Sequence, residues 1–183
     1  MSEQVGVYRF RLSQTRYKNG AFFWSVIFEG QEIVAFDGRF MREEGNRVTP
    51  TKNGFRLPAE KFDHLRQALI GDLRTLEDTV LVENRSFKLY VRYVNDKYGE
   101  GIDFRKYRMG ENYQGWDRSG IRMKLEDVVT LRDLLSGFDP LRVDQAQNCF
   151  AGKELDSRKG HGRVPNEVHD KTVNPVLDKL LGD

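Results

Sequence analysis

Residues 36–69 can be laid over residues 102–135 without a gap, so the chain matches itself at a fixed offset of 66. Ten of these 34 pairs are identical: Asp37/Asp103, Arg39/Arg105, Arg42/Arg108, Asn46/Asn112, Gly54/Gly120, Arg56/Arg122, Glu60/Glu126, Leu65/Leu131, Arg66/Arg132 and Leu69/Leu135. Unrelated segments would share roughly two, so one structural unit occurs twice, and a repeat constrains the fold more than any single motif. Phe36/Ile102, Lys52/Arg118, Phe55/Ile121 and Leu57/Met123 are conservative pairs within the same match. What the copies share is arginines in a strand-like stretch and a junction leading into a helix-like one.

Composition sets bounds on this reading. Across 183 residues, 38% hydrophobic and 32% charged content provides a core, but a small one for each half. No run of 18 apolar residues exists, so no membrane-spanning helix and no membrane partner are expected. Met1-Ser2-Glu3-Gln4 has neither a charged nor an apolar leader pattern, and the single cysteine, Cys149, suits a reducing interior. The expectation is an intracellular protein, in the cytoplasm or with the nucleoid or nucleus. A net charge of +2 does not by itself point to nucleic acid. Its distribution does more: residues 85–124 hold ten Lys/Arg against five Asp/Glu.

Alternation and turn chemistry give the element order. Residues 5–12, 21–28 and 32–41 alternate or run apolar and β-branched, with Asn19-Gly20 and Gly30 at the turns. Residues 54–57 read as a short fourth strand, and Pro58 as the first residue of a helix over 58–69 with the stripe Phe62, Leu65, Ala68 and Leu69. The second copy repeats this: strands over 79–83, 86–95, 100–109 and 121–123, then a helix over 125–135 closed by Gly137. The expected fold is therefore α+β, two tandem β-β-β-β-α units in which each helix covers one sheet face and leaves the other open. The predicted boundaries are 1–73, 74–142 and a polar extension over 143–183. Within the extension, Asn174-Pro175 starts a short helix whose apolar face is Val176, Leu177, Leu180 and Leu181. A helix that short needs a surface to dock on.

Strand alternation sorts side chains between faces. With Ile102, Phe104, Leu89 and Val91 inward, Asp103, Arg105 and Tyr107 share the open face with Lys88, Tyr90 and Arg92. The matching set in the first copy is Trp24, Val26, Asp37, Arg39 and Met41. Each is also an ordinary strand former; the recurrence in both copies is what singles them out. Rings that stack on bases, interleaved with cations that follow phosphates, suit single-stranded nucleic acid. Trp116 on a glycine-bearing loop extends this face, and Arg118, matched by Lys52, is placed to meet a phosphate.

Other chemistries lack a pattern. There is no Gly-Lys-Ser/Thr phosphate loop, no His-Glu-x-x-His and no Cys-x-x-Cys. Cys149, His161 and His169 fit no metal spacing, so neither a metal nor a cofactor is expected. Asp37 and Asp103 each sit beside an arginine on one strand face, which suits ion pairing better than acid–base catalysis.

One family resembles this pattern. Ile102-Asp103-Phe104-Arg105-Lys106-Tyr107, then Arg118-Ser119-Gly120-Ile121, then Glu126 to Leu131, are similar to the positive cofactor four family of transcriptional coactivators. That family carries Ile-Asp-Ile-Arg-Glu-Tyr on its third strand and Gly-Arg-Lys-Gly-Ile before its helix. The second copy follows the pattern from about Tyr90 to Leu135; the first does so through Asp37, Arg39, Lys52, Gly54, Phe55, Leu57, Glu60 and Leu65. The chain departs from it where Trp116-Asp117 replaces Pro-Gly, where Val128 replaces a helix tryptophan, and at Gly38. The resemblance implies curved four-stranded sheets, helices packed together as an intramolecular pseudo-dimer, and single-stranded DNA held across the sheets, as in the related Pur and Whirly families. It implies a non-catalytic DNA-binding role in transcription, replication or repair, with RNA open as a ligand. The DNA-binding set so expected is Lys88, Tyr90, Arg92, Arg105, Tyr107, Trp116 and Arg118, with Trp24, Arg39 and Lys52 from the weaker first copy. The alternative is a protein-interaction module that recruits a partner through residues 176–181.

Overall fold

A computed structural model describes residues 5–13 and 17–137. The polar extension and its expected helix at 176–181 lie outside the described residues. The first unit is an antiparallel meander of β1 (Val5–Arg11), β2 (Gly20–Glu29), β3 (Glu32–Glu44) and β4 (Arg47–Pro58), paired in that order. A 3-10 turn at Ala59–Lys61 leads into α1 (Phe62–Ala68). The second unit has β5 (Thr79–Glu83), β6 (Phe87–Asp96), β7 (Gly99–Met109), β8 (Gln114–Trp116) and β9 (Ile121–Met123), followed by α2 (Leu125–Leu135). Both β8 and β9 pair with β7, at different points along it. The protein is thus α+β, with two antiparallel sheets and few helices. Among the described residues no helix is long and apolar enough to cross a membrane.

The repeat is visible in the strand register. Asp37 pairs with Arg56, and Asp103 with Arg122; Met41 pairs with Pro50, and Tyr107 with Trp116. Between these pairings each unit has the same irregularity, at residues 51–53 and 117–119. In the second unit it separates β8 from β9; in the first the strand runs through it. This explains why β4 is much longer than the expected 54–57. Its polar first half pairs with Met41–Glu44 across a turn at Gly45, which adopts a φ of 60° that suits glycine. Pro58 closes β4 with an extended ψ of 147° and does not begin the helix.

The offset of 66 fails in β2. The ladder between β2 and β3 pairs Ile27 with Ala35 and Phe28 with Ile33, leaving Val34 as an extra residue. The β6–β7 ladder has no such bulge. One inserted residue exchanges the two faces of a strand. The counterparts of Lys88, Tyr90 and Arg92 are therefore Ala21, Phe23 and Ser25, which lie opposite Met41, Arg39 and Asp37. Trp24 and Val26, expected on the outer face, point the other way and are fully buried. Phe23 and Ile27 are buried too, so β2 is covered on both faces and the first sheet does not present the open surface expected of it.

One core joins the units. It takes Trp24, Phe36, Phe55, Phe62 and Leu65 from the first and Val91, Phe104, Met123, Leu131 and Leu135 from the second. Trp24 stacks on Phe36 at 5.4 Å, and the rings of Phe55 and Phe104 lie 4.4 Å apart and 5° from parallel. A Cβ at Gly38 would sit 2.4 Å from the Phe55 ring, so the glycine that departs from the family pattern makes room for that ring within β3. The N–H of Gly54 donates to the carbonyl of Ser119 at 2.8 Å, and Tyr17 donates its hydroxyl to Asp127 on α2 at 2.6 Å. Helix α2 buries Val128, Leu131, Leu134 and Leu135 along with Asp127, and Glu126 in its first turn places a charge that suits a helix N-terminus.

Candidate nucleic-acid interface

The second sheet brings most of the expected residues onto one face. Cross-strand pairing sets Lys88 beside Tyr107 and Tyr107 beside Trp116, Tyr90 beside Arg105, and Arg92 beside Asp103. Trp116 is the hub. The guanidinium of Arg92 lies over its ring at 4.0 Å from the centroid, and Tyr90 and Tyr107 meet it edge-on at 5.3 and 5.2 Å. Trp116 as a residue stays 36% exposed. A tryptophan held by two tyrosine edges and a cation has its orientation fixed before any ligand arrives, which lowers the ordering cost of binding.

Beneath this platform the arginine shared by both copies has a structural task. Arg105 donates Nε and Nη2 to the Asp103 carboxylate, each at 3.0 Å, and Nη1 to the Asp117 carbonyl at 2.7 Å. Arg39 repeats this at offset 66, with Nε and Nη2 to Asp37, each at 2.9 Å, and Nη1 to the Thr51 carbonyl at 2.7 Å. Arg92 adds a bond to Asp103 at 3.3 Å. Each buried aspartate thus binds a planar fork whose remaining donor pins the strand irregularity. The Asp37 carboxyl is pushed above the usual carboxylate range by burial, against the opposing pull of Arg39, Arg9 and Arg56. Arg39 and Arg105, expected in the DNA-binding set, have these donors engaged within the protein, their side chains 13% and 21% exposed.

The irregularity projects one residue outward in each unit, Lys52 and Arg118. Both are exposed, and neither has an ionic partner among the described residues. In the second unit Asp117 organises it: one carboxylate oxygen accepts from the Ser119 N–H and hydroxyl at 2.8 and 2.7 Å, the other from Arg108 at 2.8 Å. Burial alone would raise the Asp117 pKa, but these three donors bring it down to about 2. The chain must also pass close to its neighbour here. A Cβ at Gly120 would lie 2.7 Å from the Phe104 carbonyl oxygen, and one at Gly54 would lie 2.7 Å from that of Gly38. This close approach explains why both copies carry glycine at that point.

A cavity of about 660 Å³ adjoins the platform, lined by Arg108, Glu111, Asn112, Tyr113, Trp116 and Arg118 among others. Sequence reasoning did not reach it. The hairpin from Gly110 to Trp116 that forms its wall closes through Gly110 N–H to the Tyr113 carbonyl at 3.0 Å and the Tyr113 hydroxyl to the Trp116 carbonyl at 3.2 Å.

In the first unit Met41 and Pro50 stand where Tyr107 and Trp116 stand in the second. Trp24, expected to supply a ring there, is in the core, and its buried indole N–H has no hydrogen-bond partner among the described residues. Among the described residues no group of His, Cys, Asp or Glu is arranged to hold a metal. No family model matches this chain, and no curated protein matches it.

Proposed function

We propose that the protein binds single-stranded DNA across the second sheet, without catalysis, in transcription, replication or repair. The observation that carries this reading is the Trp116 cluster: a part-exposed residue whose ring is pre-oriented by Arg92, Tyr90 and Tyr107, with Arg118 and Lys88, the latter paired to Glu83 at 3.1 Å, at its margins. Bases stack on such a ring with little regard to sequence, each worth about 1–3 kcal/mol, while the cations follow the phosphates. A duplex keeps its bases stacked inside and offers this platform nothing comparable. The two units are read as an intramolecular pseudo-dimer; the shared core and the Phe55–Phe104 stack, which joins β4 to β7, support that reading, which does not rest on a contact between the two helices. In this reading the first unit serves mainly to hold the second and adds Lys52 to the path of the strand.

Fluorescence anisotropy with a labelled oligothymidylate, its duplex and an RNA strand of equal length tests the proposal. The expected result is binding of the single strand that weakens as salt rises, since phosphate contacts release counterions, and that weakens further in Trp116→Ala. Equal binding of duplex and single strand, or none of either, would overturn it.

A further inference from the structure

The cavity beside Trp116 has a shape and chemistry that plain stacking does not need. Its volume of about 660 Å³ is within the usual range of small-molecule sites, roughly 300–1,000 Å³. Two aromatic residues, Tyr113 and Trp116, line it, and both are exposed, at 58% and 36%. Trp116 belongs both to the platform and to the cavity lining, whereas Arg92, which lies over its ring, does not line the cavity. Arg118 at the rim and Glu111 at the hairpin tip are both exposed, and neither has an ionic partner among the described residues. Arg108 is already committed to Asp117 at 2.8 Å, so Arg118 is the cation available to a phosphate.

We infer that this cavity receives one base of the bound strand, turned out of the stack, and that it favours guanine. The inference rests on the single-strand reading above. A turned-out base brings its ring to Tyr113 and Trp116 and its own phosphate to Arg118. The preference comes from Glu111. A carboxylate only accepts hydrogen bonds, through two adjacent oxygens. Guanine alone presents two neighbouring donors on its Watson–Crick edge, N1–H and N2–H. Adenine, cytosine and thymine each set a donor beside an acceptor, which would face a carboxylate oxygen unpaired. Recognition of splayed bases by stacking plus edge hydrogen bonds is the usual way a protein reads a single strand. The strand as a whole then binds with little preference while one position along it is read.

The test compares an oligothymidylate with the same strand carrying a single central guanosine, in competition anisotropy on the full chain. The guanosine strand is expected to bind roughly five- to tenfold more tightly, as for one well-made bidentate base contact. Inosine, which keeps N1–H and lacks the N2 amino group, should lose most of that gain. In Glu111→Gln the ratio of the two affinities should fall to about one, since an amide offers a single acceptor oxygen. Oligothymidylate binding with no gain from guanosine would overturn the inference and leave the sheet platform standing. Inosine equal to guanosine would also overturn it. Free guanosine monophosphate displacing the strand at the same guanine concentration would assign the cavity to a mononucleotide instead. If neither strand bound, the inference and the reading beneath it would fall together.

Discussion

The rings of Phe55 and Phe104 lie parallel at 4.4 Å across the boundary between the two units, and Phe55 occupies space that Gly38 leaves open. Gly38 is the first unit's counterpart of Phe104, and the space it leaves is filled by Phe55 of its own unit. Removing either ring should leave a cavity that the sheets cannot collapse into. Phe104→Ala is expected to cost about 3–5 kcal/mol. Denaturant titration followed by both circular dichroism and fluorescence should still give one coincident transition, because the core is shared. Two separated transitions in the parent protein would show that the units fold independently.

Asp103 binds two arginines while almost fully buried, so its removal leaves two poorly solvated cations behind. Asp103→Ala should destabilise by about 3–5 kcal/mol, the usual cost of breaking a buried pair from one side. The effect on binding should go beyond stability, because Arg92 would lose one of the two contacts that hold it over Trp116. Chemical denaturation and anisotropy on the same samples measure both quantities. Asp103→Ala with unchanged single-strand affinity at full folding would mean that Arg92 is held by the ring alone.

The chain has two tryptophans, and the structure gives them opposite environments: Trp24 is fully buried and Trp116 is 36% exposed. Trp24→Phe deletes an unsatisfied buried N–H, which offsets part of the lost packing, so its cost should be small for a core change. The remaining Trp116 emission should then be quenched when a strand binds. Trp116→Ala should weaken binding by about 1–3 kcal/mol. A Trp24→Phe protein that binds without any change in Trp116 emission would separate the ring from the binding surface.

Two carboxylates should give opposite pH dependences. Asp117 is held low, so its contribution is fully present above the ordinary value of 3.8 and is lost as pH falls through about 2. Asp127, raised by burial despite its bond from Tyr17, works the other way. Its folded state favours the proton, so its contribution is present below 3.8 and is lost as pH rises through the raised folded value. Asp127→Asn keeps an acceptor for Tyr17 and has no charge to bury. It should therefore be more stable than the parent at neutral pH, and the difference should shrink in acid. A thermal melt series across pH, comparing the two proteins, checks the sign; parallel curves would remove Asp127 as the cause.

Much of the second unit was legible in the sequence. The bounds of β5, β9 and α2 agree with hydrophobic spacing, and alternation put Lys88, Tyr90, Arg92, Arg105 and Tyr107 on one face because β6 and β7 pair without interruption. The first unit misled at Val34. A single unpaired residue there leaves the composition of β2 unchanged and exchanges its faces, so the counterpart of Tyr90 is Phe23 and not Trp24. The paired Asp-x-Arg and its ion pairing were visible, but not the third arginine donor, which reaches a carbonyl 12 residues away that only the strand irregularity brings within range. The cavity was hidden for a similar reason. Its wall is a short hairpin closed by Tyr113, and neither spacing nor charge marks such a loop as a container.

Pro50 stands in the first unit where Trp116 stands in the second. Two identical subunits related by a twofold axis look the same to a strand entering from either end, so such a dimer has no means of telling 5′ from 3′. The two copies in this chain are not identical, and only one of these positions carries a ring. On the proposed single-strand reading, a strand running from one unit to the other would meet a smooth half and a gripping half, and reversing it would no longer be equivalent. On that reading, the divergence of the two copies gives the fold a polarity.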